Sequence, residues 1–289
     1  MIKLIGENIN IISKSLGPAI RERRSTPILD IAKQMEYMDY IDLNIGPSKK
    51  DGAEVIEWLI KEVQSVSSKK LSIDTTNSEA MYTALRLLQD HSPLINSISL
   101  QPERLEEILP AAAQSGADVI GLLWCESGMP RDINERCMLA VELLLKTAGE
   151  GIPNEKIWLD PIATPVSGDI AQVLSTVEFL HMLPEIAPGC KSVVGLSNVS
   201  NGVPAHLRHY LNAVYLIMLK RTGLHAAIID CLDRELIAIA RGGRPELEQM
   251  VYDIMDGNET AADGSEMEKY YKTAMVLTGK NVFSNAWLD

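Results

Sequence analysis

The side chains best suited to chemistry in this sequence stand at the ends of short apolar segments. Glu7 and Asn10 close KLIGENIN, Asp42 and Asn44 lie in YIDLNIG, Asp74 in KLSIDTT, Asn96 in LINSISL and Asp160 in KIWLDPI; Asn198 follows KSVVGLS and Asp230 lies in AAIIDC. All are carboxylates or amides, and no Lys, Arg or His shares these ends. Such a set suits a neutral or weakly basic heterocycle that presents several N–H donors, and is a poor cradle for phosphate. The same residue types are common turn and helix N-cap residues just after strands, so each taken singly reads first as a cap. Asp74, with Thr75, Thr76 and Asn77 before SEAMYTALRLL, fits that plain reading. Asn96, flanked by apolar residues, and Asp160, held extended by Pro161, fit it less well.

Other chemistries find little material. There is no G-x-S-x-G elbow, Walker loop, H-E-x-x-H or G-x-G-x-x-G. His206 and His209 alone among the histidines are spaced to share a helix face, and read as a surface pair, so no bound metal is expected. Cys125 and Cys231 lie near strand ends without a neighbouring His or CxxC partner and read as buried, inert thiols. Met35, Met38, Met218, Met250 and Met255 follow helical spacing and read as core filler. Glu126 and Asp132 flank the SGMP loop and read as solvated charges before contacts for a partner, and Trp124 and Trp158 lie near strand ends.

The elements that position these groups alternate regularly. Candidate strands run over 3–10, 40–46, 70–76, 94–100, 118–126, 156–162, 191–197 and 226–231. Between them, segments such as 28–38, 53–66, 103–116, 134–149 and 206–223 carry apolar residues three and four apart, one buried stripe per helix. Strands alternating with helices imply parallel pairing through crossovers, an α/β fold. Eight units in succession favour a closed (β/α)8 TIM barrel, with an open doubly wound sheet as the other architecture the pattern allows. In a barrel, all the strand-end groups above face one cavity. The pattern stops after about 255; DGNETAADGSE (256–266) reads as a linker. The expected organisation is a single domain: a barrel over 1–255, then 256–289 as linker and a C-terminal extension that packs on the barrel or on a second subunit.

Composition agrees with a globular protein. The 289 residues are 46% apolar and 23% charged, which argues against disorder or low complexity. Aromatics make up only 5%, too few for a stacking platform for single-stranded nucleic acid. A net charge of −12 repels phosphate backbones and anionic lipid, so neither nucleic acid nor membrane is an expected partner. Four separated cysteines, a start without a secretion signal and no membrane-length apolar run point to a cytoplasmic protein.

Taken together, GENIN (6–10), DLNIGP (42–47), SIDTTN (72–77), INS (95–97), WLDPI (158–162) and GLSNVS (195–200), in this order on eight βα units, resemble the pterin-binding methyltransferases. The resemblance runs from residue 1 to about 255 and is stronger to the methyltetrahydrofolate:corrinoid-protein methyltransferases, related in fold to dihydropteroate synthase and to the folate module of cobalamin-dependent methionine synthase. It implies a (β/α)8 barrel that binds tetrahydrofolate or 5-methyltetrahydrofolate as substrate, with a corrinoid (cobalamin) delivered by a partner protein, and a homodimer. By motif match it implies that Asp74, Asn96 and Asp160 hold the pterin, that Asn198 contacts N5, the methyl-bearing atom, and that Gly195 and Ser197 line the same wall. It extends to Asn201 and Arg208 toward the folate tail, although the loop 201–209 departs from the family pattern. Glu7, Asn10, Asp42, Asn44 and Asp230 fall behind these as supporting residues. Dihydropteroate synthase activity is disfavoured, because strands seven and eight end without the basic residues that a pterin pyrophosphate needs.

The expected chemistry is an SN2-like methyl transfer between N5 and cobalt(I), in which N5 must gain positive character and Asn198 supplies or relays the hydrogen bond. Two other readings stay open: the same fold acting on tetrahydromethanopterin, or a non-catalytic pterin-binding subunit of a corrinoid complex. The direction of net transfer is open too, with the C-terminal extension leaning toward demethylation systems.

Overall fold

The computed structural model describes residues 1–48, 50–89, 91–258 and 264–288. Among them are eight strands: β1 (Lys3–Asn10), β2 (Tyr40–Gly46), β3 (Lys70–Thr75), β4 (Leu94–Ile98), β5 (Asp118–Leu122), β6 (Ile157–Asp160), β7 (Lys191–Gly195) and β8 (Ala226–Ile229). They pair in sequence order, all parallel, and β8 closes on β1. The fold is therefore the closed (β/α)8 barrel and not the open sheet. Each expected strand forms, and most stop a few residues short of the segment read from the sequence. The trailing residues turn out of the sheet, and Asp230, Ser197 and Asn198 stand just beyond the strand ends.

The helices are α1 (Gly17–Arg21), α2 (Ser25–Gln34), α3 (Gly52–Val66), α4 (Ser78–Leu87), α5 (Pro102–Ser115), α6 (Ile133–Gly149), α7 (Ile170–Ile186), α8 (Ala205–Arg221), α9 (Arg234–Ala240), α10 (Pro245–Met255) and α11 (Ser265–Leu277). Helices α1, α4, α9, α10 and α11 lie outside the example segments named above, as does α7. Gln172, Ser175 and Thr176 are buried along with Val173, Phe179 and Leu180, so polar residues interrupt its apolar stripe. Helix α8 is buried on nearly every side from Tyr210 to Leu219, because α9, α10 and α11 cover the face turned away from the barrel. The end of the chain is pinned by Trp287, whose Nε1 donates to Thr273 Oγ1 at 2.9 Å. Residues 259–263 of the expected linker lie outside the described residues. No described helix is long and apolar enough to cross a membrane.

Side chains alternate in and out along each strand, and the inner positions form layers. Ile5, Tyr40, Leu94, Ile120, Trp158, Val193 and Ala226 fill the closed end as one apolar cluster. The outward positions, among them Leu4, Ile41, Leu43, Ile73 and Leu159, pack under the helices. Gly121 shows how closely the two layers meet, since a Cβ there would lie 2.5 Å from Leu143 Cδ2 on α6.

Helix caps are supplied by other residues than the strand-end set. Asn77 accepts from Ala80 N, Asp132 from Glu135 N, Asp169 from Ala171 N and Asp233 from Leu236 N. Asp132 is thus a capping group, not simply a solvated loop charge.

Candidate functional site

The period of two predicts what lies above the apolar cluster. Two residues beyond Ile5, Tyr40, Leu94 and Trp158 come Glu7, Asp42, Asn96 and Asp160, so a polar layer rests directly on the apolar one. Register completes it: Asn44 pairs with Asp74, and Asp74 with Asn96, side by side across three strands.

Hydrogen bonds order these groups. Ser72 Oγ donates to Asp42 Oδ1 at 2.6 Å, and Asn96 Nδ2 donates to the same oxygen at 3.1 Å. Asn44 Nδ2 donates to Asp74 Oδ2 in a short contact, while its Oδ1 accepts from Gly46 N at 3.1 Å. Asp160 Oδ1 accepts from Ile162 N at 2.8 Å, holding Ile162 at φ 65°, a left-handed conformation that a β-branched residue adopts only under constraint. The turn reading therefore describes part of what Asp160 and Asn44 do. It also describes Asn10, which accepts from Ile12 N, and Asp230, which accepts from Leu232 N and Asn8 Nδ2.

Carboxyls gathered in one buried layer resist ionisation. Burial, then the neighbouring Asp74 charge, pushes Asp42 well above the usual carboxylate range, against the bonds from Ser72 and Asn96. Burial also raises Asp74, opposed by the Asn44 bond and the Arg104 charge. Burial brings Asp160 up to about 7, opposed by the Ile162 N–H. Glu7 is raised by burial first, opposed by a hydrogen bond from Ser197, with Asp230 and Asp42 adding to the rise and Arg208 opposing it.

The mouth opens on the β1, β7 and β8 side as a cleft of about 790 Å3, whose lining includes Glu7, Asn10, Ser197, Asn198, Asn201, Arg208 and Asp230. Asp42, Asp74, Asn96 and Asp160 are not part of this lining; they come from β2, β3, β4 and β6, and Glu7 joins the two groups electrostatically. After β7 the chain makes a 3-10 turn, Leu196–Ser200, that exposes Asn198. Asn201 Nδ2 donates to Asn198 Oδ1 at 3.2 Å, which directs the Asn198 Nδ2 away from that bond. A Cβ on Gly195 would stand 3.1 Å from that Nδ2, so the glycine leaves room for the amide. Arg208, expected toward a ligand tail, donates to Ser200 Oγ at 3.0 Å and to Ser197 O at 3.4 Å; it clamps the turn as well as facing the cleft.

Two guanidinium groups were not read from the sequence. Arg104 Nε donates to Ser97 O at 3.1 Å, and its Nη2 reaches Ser97 O and Thr75 O. Arg136, fully buried, donates to Pro161 O at 3.0 Å, Ser175 Oγ at 2.9 Å and Gln172 Oε1 at 2.9 Å. Arg104, Arg136 and Arg208 all sit in the first turn or so of a helix, where a cation opposes the helix dipole. That unfavourable placement was the available signal. The strand ends themselves carry no base, as the sequence indicates, yet helices bring three cations to the loops.

Other expectations need adjustment. Cys231 is buried, its thiol pushed up to about 11, whereas Cys125 is only half-buried with its Sγ 3.0 Å from Ser127 Oγ. Trp124 stands at the open end, but Trp158 belongs to the closed end, with its Nε1 donating to Asp118 Oδ2.

Residues 26–230, well over half the sequence, match the family described as pterin binding enzyme. The chain belongs to that family. It is 24% identical over 238 residues to a methylcorrinoid:tetrahydrofolate methyltransferase of Eubacterium limosum, covering 81% of this chain and 87% of that one. It is 27% identical over 241 residues to the methionine synthase of Mycobacterium tuberculosis, but spans only 20% of that larger protein. Among solved structures, a Yersinia pestis dihydropteroate synthase with a pterine-sulfa conjugate superposes with a TM-score of 0.62 at 17% identity, over 84% of this chain and 94% of that one; at this identity the likeness is one of fold. The family match begins at α2 and ends at Asp230, so it spans the polar layer from Asp42 to Asn198 and leaves β1, with Glu7, outside.

Proposed function

We propose that this chain is a methyltransferase that moves a methyl group between N5 of tetrahydrofolate and the cobalt of a corrinoid carried by a partner protein. The observation that carries the reading is the polar layer itself: carboxylates and amides from β2, β3, β4 and β6 rest on an apolar floor, beside an exposed amide on the turn after β7. The similarity to a methylcorrinoid:tetrahydrofolate methyltransferase over most of both chains supports the choice of substrates.

In this reading Asp160 accepts adjacent N–H groups of the 2-amino-4-oxo pyrimidine edge in bidentate fashion, and Asp74 and Asn96 complete the grip. An ionised Asp160 is the competent acceptor, so the ligand must draw the group down from about 7. Gly195 and Ser197 form the wall beside the ring, and Asn201 and Arg208 face the tail. Asn198 hydrogen-bonds N5. Written from folate to cobalt, the cobalt(I) electron pair forms the Co–C bond, the C–N5 bond breaks with its pair returning to N5, and N5 takes up a proton; transfer to folate reverses each of these changes. A hydrogen bond that strengthens as N5 changes charge lowers the barrier without tightening the ground state.

Calorimetric titration tests the binding half of the proposal. Tetrahydrofolate is expected to bind, and more tightly than tetrahydromethanopterin; the reverse preference would assign the barrel to the other pterin, and binding of neither would overturn the reading.

A further inference from the structure

Arg104 stands outside every role assigned above. It lies on the third residue of α5 and reaches back to carbonyls on two strand ends: Ser97 O, next to Asn96, and Thr75 O, next to Asp74. One planar guanidinium therefore spans the two backbones that carry a pterin-binding pair, a geometry a lysine cannot reproduce. The side chain is half-buried, and its Nη1 is buried with no acceptor among the described residues. A buried donor without a partner is costly and calls for an explanation at the site it faces.

We propose that Arg104 is the positioning residue of the pterin edge, fixing the ends of β3 and β4 against each other and setting a permanent positive charge beside Asp74. This inference rests on the folate reading and adds to it a residue that touches no reacting atom. The charge matters because Asp42 and Asp74 share one polar layer, where two buried carboxylates repel. Asn44 on β2 and Arg104 on α5 act on Asp74, whose charge acts in turn on Asp42 of β2; Glu107, also on α5, acts on Arg104, and Asp42 acts on Glu7 of β1. Of these, Arg104 is the only cation. Its presence favours ionisation at Asp74, the form that accepts N–H donors, and leaves the protonated state to Asp42, which burial raises against the bonds from Ser72 and Asn96.

The test is tetrahydrofolate affinity of the whole protein across pH, for the wild type, Arg104→Gln and Arg104→Lys. Arg104→Gln is expected to weaken binding at least tenfold near pH 6 and to keep, toward about pH 8.5 where Asp74 ionises unaided, only the smaller loss that it shares with Arg104→Lys. Arg104→Lys, which keeps the charge and loses the double tie, is expected to restore the wild-type pH profile with part of the affinity. An Arg104→Gln protein that binds like the wild type at every pH, or one weakened equally at every pH, overturns the proposal. Should Arg104→Gln fail to fold, the Lys variant decides: a profile displaced to higher pH than the wild type's overturns it. Asp74→Asn and Asp160→Asn in the same titrations separate this inference from the reading beneath it. If both bind like the wild type, the folate assignment has failed; if they weaken while Arg104→Gln does not, only the positioning role has.

Discussion

The hydroxyl of Ser197 donates to Glu7 Oε1 across 2.6 Å, tying the turn after β7 to the first strand over 190 residues of sequence. The bond favours the ionised carboxylate and opposes the burial that raises Glu7. Ser197→Ala removes this opposition, so Glu7 rises further in the folded state. A raised carboxyl contributes stability that is complete below its ordinary value and is lost as pH rises through the folded one. Ser197→Ala is therefore expected to melt like the wild type near pH 4.5 and to be about 1 kcal/mol less stable near pH 8. A loss of the same size at both pH values would contradict this coupling.

Gly195 and Asn198 give a prediction that separates catalysis from folding. With φ at −71°, residue 195 accepts alanine without backbone strain, but the new Cβ would press on Asn198 Nδ2 from 3.1 Å. Gly195→Ala is expected to change Tm little, to leave tetrahydrofolate affinity within roughly threefold and to lower kcat at least tenfold, because about 1 Å of misplacement is enough to spoil a reacting geometry. Unchanged kcat would show that the Asn198 amide is not held in position by this close approach.

Asp160 should reveal a conflict between stability and binding. Its folded value of about 7 lies above the ordinary carboxyl value, so its contribution to stability fades between about pH 4 and pH 8. Asn in its place keeps an oxygen for Ile162 N and never ionises. Thermal melts are expected to show Asp160→Asn equal to the wild type near pH 4.5 and more stable by roughly 1–3 kcal/mol near pH 8. The same variant is expected to bind tetrahydrofolate at least tenfold more weakly at about pH 8. A variant less stable than the wild type at that pH would contradict the burial argument.

Arg136 is expected to matter for the fold near the site. Arg136→Met leaves Pro161 O and Gln172 Oε1 without their donor in a fully buried setting, against which loss of a buried charge is a partial gain. Urea unfolding should show a loss of roughly 2–4 kcal/mol. A change under about 0.5 kcal/mol would mean that the loop after β6 holds Asp160 without help.

The parts of this protein that were legible in its sequence are those dictated by neighbours along the chain. Parallel strands buried on both faces read as apolar runs, which is why all eight were found. Asp160 before Pro161 and Asn96 between apolar residues were recognisable because local chemistry argued against a cap, and neither caps a helix. Tertiary partnerships were not legible. Nothing local to Arg104 announces Thr75, nor does Ser197 announce Glu7. In α7, Gln172 and Ser175 are buried to satisfy Arg136, which interrupts the apolar period. Trp158 looked like a strand-end residue because its segment is short; the position two residues before Asp160 puts it in the apolar floor instead.

The central claim is tested most directly by mixing the protein with 5-methyltetrahydrofolate and cob(I)alamin and following the absorption spectrum. The expected result is the growth of methylcobalamin at a rate that depends on the protein, with Asn198→Ala binding folate nearly as well and transferring methyl at least a hundredfold more slowly. Tight folate binding with no methylcobalamin formed would contradict the methyltransferase reading and leave a pterin-binding subunit without chemistry of its own.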